Sequence, residues 1–137
     1  MSGLKLRYFA PHEIRFFGGS HYLPKGRASG LNTLPPRNLW ANMIPVIRAA
    51  DEAREIMGSP IRILSAYRSP EYNRAVGGAR FSRHLQFDAL DLAPMNGHVA
   101  TLHTILKKLR SVGLFTGGIG RYSSFVHLDN RGTNTDW

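Results

Sequence analysis

The run NGHVATLHTILKKLRSVG, residues 96–113, limits the possible architectures more than any other segment. Asn96 stands where an N-cap is expected, and Gly113 where a left-handed residue closes a helix. Between them Val99, Leu102, Ile105, Leu106, Leu109 and Val112 recur at helical spacing, which predicts one amphipathic helix. Such a helix draws its stability from burying its apolar stripe, so it requires an apolar partner surface. The next residues supply one. GGIGRY and SFVHLDN read as two short strands joined by a tight turn.

Upstream, Asn38 is placed to cap a helix running to about Met57, with Gly58 as its stop and Leu39, Met43, Ile47, Ala50 and Ile56 along it. Pro45 lies inside that run and is expected to kink or split it. IRILSA, 61–66, and FDALDLA, 87–93, read as strands, the second half-buried. A short helix is expected between them, with Ser69 as N-cap and Pro70 at its first position. VGGARFS, 76–82, is a glycine-bearing loop, and LKLRYF, 4–9, an extended lead-in. Residues 16–38 are punctuated by Gly and Pro, and a loop of that length is expected to be functional or mobile. The resulting class is α+β, a small, mainly antiparallel sheet with packed helices. At 137 residues one domain is expected, with 1–37 as an N-terminal extended and loop segment and 38–137 as the motif-bearing core.

Cysteine is absent, which removes disulfides, thiolate nucleophiles and Cys-based zinc motifs. Any metal must be held by His, Asp or Glu. The formal net charge of +9 draws polyanions in general. The basic residues are scattered, however, and no nucleic-acid motif accompanies them, so no specific nucleic-acid partner is expected. No apolar run approaches the ~20 residues of a membrane span. MSGLKLRYFAPHE lacks the apolar stretch of a signal peptide, so synthesis in the cytoplasm is expected.

SRHLQFDALD, 82–91, carries His84 and Asp91, and the final strand carries His127. Two neighbouring strands can bring these three side chains to one side of a sheet. Two imidazoles and a carboxylate suit Zn²⁺ and leave a fourth position open. The spacing alone does not decide, because six histidines make chance pairs common. A polar strand edge and an unrelated histidine remain the alternative.

SAYRSPEYN, VGGARFSRHLQFDALDLAP and GGIGRYSSFVHLDNRGTNTDW, in this order, resemble the zinc D-alanyl-D-alanine carboxypeptidase family of bacterial cell-wall enzymes and phage lysins. The matching residues are Ser65 to Ser69 with Asn73, then Ser82, His84, Ala89 and Asp91. Gly118, Ile119, Gly120, Tyr122, Phe125, His127, Asp129, Arg131, Gly132 and Trp137 complete the pattern, which covers about residues 38–137. The resemblance implies a hedgehog/DD-peptidase-like fold and zinc bound by His84, Asp91 and His127. It also implies that Arg68 binds a substrate carboxylate and that Ser82 assists by hydrogen bonding. A surface arginine near a helix start and a simple loop cap are the competing readings of those two.

Positions where many relatives carry a base, three and two residues before the last ligand, hold Ser124 and Phe125 here. Asp129 shares a strand face with His127, so it is either the proton acceptor or a carboxylate that orients a ligand. Tyr122 either stabilises the oxyanion or packs. Phe87 stands where relatives usually have Gly, which bears on pocket shape. Asp88 is expected to be solvated, Trp40, Tyr67 and Phe125 to belong to the core, and His12, His21, His98 and His103 to lie outside the chemistry. His21 falls in the long loop that could border the cleft. The activity implied is hydrolysis of peptidoglycan stem or cross-link peptides at D-amino-acid bonds by a monomer. The site of action would be the wall, after release or as part of a virion. Two alternatives are an inactive zinc-containing wall-binding module and, from charge alone, a nucleic-acid-binding protein.

Overall fold

The structure is a computed structural model and describes residues 6–137. Among these, five strands form one sheet: β1 (Ile61–Ser65), β2 (Ala89–Pro94), β3 (Gly118–Arg121), β4 (Val126–Asp129) and β5 (Thr135–Asp136), in the order β1-β2-β4-β3-β5. All neighbours are antiparallel except β3 and β5. The helices are α1 (Pro11–Ile14), α2 (Gly19–Tyr22), α3 (Ile44–Met57), α4 (Pro70–Ala75) and α5 (Val99–Ser111). The α+β class and the packed helices agree with the sequence reading.

Strand periodicity decides which face does what. Successive side chains of a strand point to opposite faces. In β2 Leu90 and Leu92 enter the core, as do Val126 and Leu128 of β4 and Ile119 of β3. These meet Val46, Ile47 and Ala50 of α3 and Leu102 and Leu106 of α5. Asp91, His127, Asp129, Gly118 and Gly120 occupy the intervening positions and therefore share the face away from that core. Burying a Leu or Val side chain is worth roughly 1.5–3 kcal/mol, so a one-residue slip in β2 or β4 is strongly disfavoured.

Several boundaries differ from expectation for identifiable reasons. Pro45 falls in the first turn of α3, where its missing N–H costs nothing. The residues before it, Arg37–Met43, form a separate 3-10 helix, so Asn38 caps no α-helix. Gly58 ends α3 in the left-handed region at φ 66°. Asn96 does not cap α5; His98 holds that position, and the Asn96 side chain accepts from the His98 backbone N–H at 3.0 Å. Gly113 follows α5 at φ 91°, as expected. Ser69 caps α4 by accepting from the Tyr72 N–H at 3.2 Å. The four-residue α1 was not legible, although Glu13 reaches back to the Ala10 N–H at 3.0 Å. Of the lead-in 4–9, residues 4 and 5 lie outside the described residues, and 6–9 form no strand. The Arg7 and Tyr8 backbone N–H groups instead bond the buried Asp51 carboxylate of α3 at 3.1 and 3.0 Å. Among the described residues no helix is long and apolar enough to cross a membrane.

Candidate metal centre

β2 and β4 pair so that Asp91 lies directly opposite His127. His84 arrives from the 3-10 helix Arg83–Gln86, which leads into β2. Its entry is set by Ser82, whose hydroxyl accepts from the His84 N–H at 3.3 Å. Its exit is set by Phe87, a bulky residue in the left-handed region at φ 55°. That backbone state explains why glycine suits this position in the family pattern. Here the Phe87 ring turns into the core, 1% exposed, edge-on to Tyr67 at 6.3 Å. It does not line the cleft.

Each imidazole has its far nitrogen occupied. His84 Nδ1 lies 2.7 Å from the Ala66 carbonyl. A carbonyl only accepts, so Nδ1 carries the proton and Nε2 presents a lone pair. His84 Nε2 is buried, lies 3.2 Å from Asp91 Oδ1, and has no hydrogen-bond partner. A buried nitrogen acceptor with nothing to accept from costs about 1–3 kcal/mol unless something else fills its valence. His127 Nδ1 lies 2.9 Å from the same Asp91 oxygen, and its Nε2 lies 2.8 Å from Asp129 Oδ2. One ligand atom from each of His84, Asp91 and His127 falls within 4.8 Å of the others, all three residues being buried. The donor set fits Zn²⁺: two imidazoles, one carboxylate, and a second hydrogen bond behind each imidazole.

Electrostatics follow from this crowding. Burial alone would raise the Asp91 carboxyl, but the two imidazoles that crowd it, those of His84 and His127, hold it well below the usual carboxylate range. Burial works against charging His127, yet hydrogen bonds to Asp129 and Asp91 leave its pKa raised. Asp129 is also opposed by burial, and its bonds to His127, Arg131 and the Gly118 N–H nevertheless depress it.

Asp129 is 0% exposed. Oδ1 accepts from the Gly118 N–H at 2.9 Å and from Arg131 Nε at 2.9 Å, while Oδ2 meets Arg131 Nη2 at 2.7 Å and His127 at 2.8 Å. A carboxylate so enclosed faces the back of the His127 ring rather than the cleft. Asp88 is likewise buried, 4% exposed, and paired through both oxygens with Arg83, not solvated as expected.

In front of the three residues opens a cleft of about 480 Å³. Arg68 borders it, held by the Ser65 hydroxyl at 3.2 Å and by Asn73 Oδ1 at 3.4 Å, with Nη2 3.6 Å from Asp91 Oδ2. Ser82 and Tyr122 also line it, so the structure brings every residue singled out above to the site except Asp129. Phe125 lines it too, stacked on Tyr122 at 4.5 Å, and is not a core residue. Trp40 and Tyr67 do pack on or in the core. Of the four guanidiniums at the cleft, Arg83 and Arg131 face buried carboxylates, whereas Arg80 has no ion-pair partner among the described residues. Gly18, Gly19 and Ser20 border an adjoining recess with Arg68 and Asp91, so part of the 16–38 segment reaches the cleft. His21 is structural: its Nδ1 accepts from the Asn32 N–H at 3.0 Å.

Trp137 had no assigned role from sequence. Its ring lies 5.3 Å from that of His127, and the Arg131 guanidinium lies over the indole, 5.1 Å from the ring centroid. The GGIG motif makes this possible. A Cβ on Gly120 would fall 2.4 Å from Trp137 Nε1, and one on Gly118 2.8 Å from Trp137 Cζ3.

The family model described as Peptidase M15 matches residues 27–129. No curated protein compared with the chain matches it.

Proposed function

The chain belongs to the peptidase M15 family, and from that membership we propose that it hydrolyses peptidoglycan stem or cross-link peptides at bonds involving D-amino acids. The observation that carries this reading is the orphaned His84 Nε2, aimed at the same point as Asp91 and His127 Nδ1. These three would hold zinc, which when bound supplies a Lewis acid and a water whose pKa falls to about 7. Arg68 fits a substrate carboxylate, since its planar fork matches one bidentately. The unpaired charge of Arg80 favours an anionic peptide further along the cleft. Ser82 spends its hydroxyl oxygen as a helix cap and keeps its O–H for substrate. Asp129 holds the Nε2–H of His127 and so presents Nδ1 forward, which makes it the orienting carboxylate of the two alternatives.

A second reading has one observation in its favour. Among the residues lining the cleft, no carboxylate or imidazole exists beyond the three ligands. A wall-binding zinc module without turnover would share that feature. Digestion of purified peptidoglycan, followed by mass spectrometry of the muropeptides with and without chelator, separates the two. New peptide ends that vanish with chelator and with His84→Ala support the peptidase. One zinc per chain without new ends supports the module. Full lytic activity in His84→Ala would sink the metal centre altogether.

We also place the site of action at the bacterial wall, in the manner of a phage or prophage lysin, because a net charge of +9 attracts an anionic polymer.

A further inference from the structure

We infer that Trp137 is a positioning residue that aims the Tyr122 hydroxyl into the cleft, where it donates to the oxygen that becomes negative as the scissile carbonyl is attacked. This rests on the peptidase reading above. The direction of one hydrogen bond carries it. Trp137 Nε1 lies 2.9 Å from Tyr122 Oη. An indole nitrogen only donates, so the phenol oxygen accepts and its own proton is left over. Tyr122 Oη has no other partner among the described residues, and Tyr122 lines the cleft with His84, Asp91 and His127. The leftover donor is therefore available to a molecule that occupies the cleft.

Both partners are held for this one contact. The Tyr122 ring stacks on Phe125 at an interplanar angle of 7°, and its N–H closes a turn onto the Phe125 carbonyl at 3.0 Å. The indole is fixed by its backbone: the Trp137 N–H donates to Ile119 O at 3.1 Å, and Trp137 O accepts from Arg121 at 2.9 Å. Gly118 and Gly120 admit the ring against β3, where any side chain would expel it. Trp40 shows the contrast. Its indole N–H goes to the Pro35 backbone carbonyl, 2.9 Å away, as suits a tryptophan that only packs. A hydroxyl preset toward developing charge stabilises the transition state more than the ground state, so its loss appears in kcat rather than KM.

The test uses the zinc-loaded chain and three variants, Trp137→Phe, Tyr122→Phe and both together. Phenylalanine retains a ring in the glycine groove and removes only the donor. Tyr122→Phe should lower kcat about a hundredfold, the scale of losing one oxyanion donor. Trp137→Phe should lower it on the order of tenfold with KM within about twofold, and the double variant should be no worse than Tyr122→Phe alone. Hydrogen exchange of the two indole N–H protons in the metal-free protein gives a reading independent of activity. The Trp137 proton should exchange faster in Tyr122→Phe, while that of Trp40 stays as it was. Additive losses in the double variant, unchanged kcat in Trp137→Phe, or unchanged indole exchange in Tyr122→Phe would each overturn the proposal while the parent chain still cleaves. If Trp137→Phe does not fold, the exchange measurement on Tyr122→Phe decides. A parent chain that cleaves no muropeptide overturns the peptidase reading, and this proposal with it.

Discussion

His127 carries a carboxylate on each ring nitrogen, and the two carboxylates do different things. Asp91 shares its oxygen with the point toward which His84 also aims, while Asp129 is sealed behind the ring with Arg131. Asp129→Asn keeps the shape and an acceptor for the Gly118 N–H, but removes the charge that holds the Nε2 proton. Zinc affinity should fall about 10–100-fold, measured by competition with a chelator. Unchanged affinity with lost activity would instead make Asp129 a reacting group. The same residue ties stability to pH in the metal-free protein. Its folded pKa lies below the ~4 of an unfolded Asp, so the unfolded chain binds the proton more readily. Its contribution is complete above pH ~4 and is lost as pH falls through the folded value. His127 has the opposite sign: raised in the fold, it stabilises below the ~6.5 of a free imidazole and loses that effect as pH rises through the folded value. Urea midpoints of the chelated protein should therefore be lower at pH 3 and pH 9 than at pH 5.5.

At the scale of elements, the turn between the 3-10 helix Arg83–Gln86 and β2 stores a conflict. Phe87 accepts a left-handed backbone, which costs a non-glycine residue about 1–2 kcal/mol, in exchange for a fully buried ring. Phe87→Gly relieves the backbone and empties the core, where deleting a phenyl group costs about 3–5 kcal/mol. The net should be destabilisation by roughly 2 kcal/mol, read from urea unfolding at constant m-value. A neutral or stabilising result would mean that the backbone strain dominates. β3 and β5 present the reverse case, a groove kept empty for a ring. Gly120→Ala puts a methyl group 2.4 Å from Trp137 Nε1. The expected outcome is expulsion of the indole, seen as a red-shifted Trp137 emission and faster exchange of its N–H.

Over the whole molecule, charge and cleft act together. Adsorption of the chain to purified wall should weaken as salt rises from about 50 mM to 500 mM, because the Debye length shrinks from above 10 Å to a few ångströms. Salt-independent adsorption would remove electrostatics from the account. The chain itself dictated the α5 helix and the strands around it, because those depend on period and residue type. Leu102 and Leu106 needed an apolar surface to face, and with no cysteine any metal had to be held by His, Asp or Glu; the motifs of the family resemblance, not elimination, singled out His84, Asp91 and His127. Three things required tertiary structure. Asp88 and Asp91 lie in the same short stretch, yet Arg83 closes over one while Arg68 only leans on the other. Phe125 leaves the core because its turn stacks it on Tyr122. Trp137 reaches the site only because the parallel pairing of β5 with β3 brings the indole over two glycines. Contacts between residues far apart in sequence have no local signature. For that reason the candidate metal-holding residues could be named from motifs along the chain, whereas the direction of each hydrogen bond behind them could not.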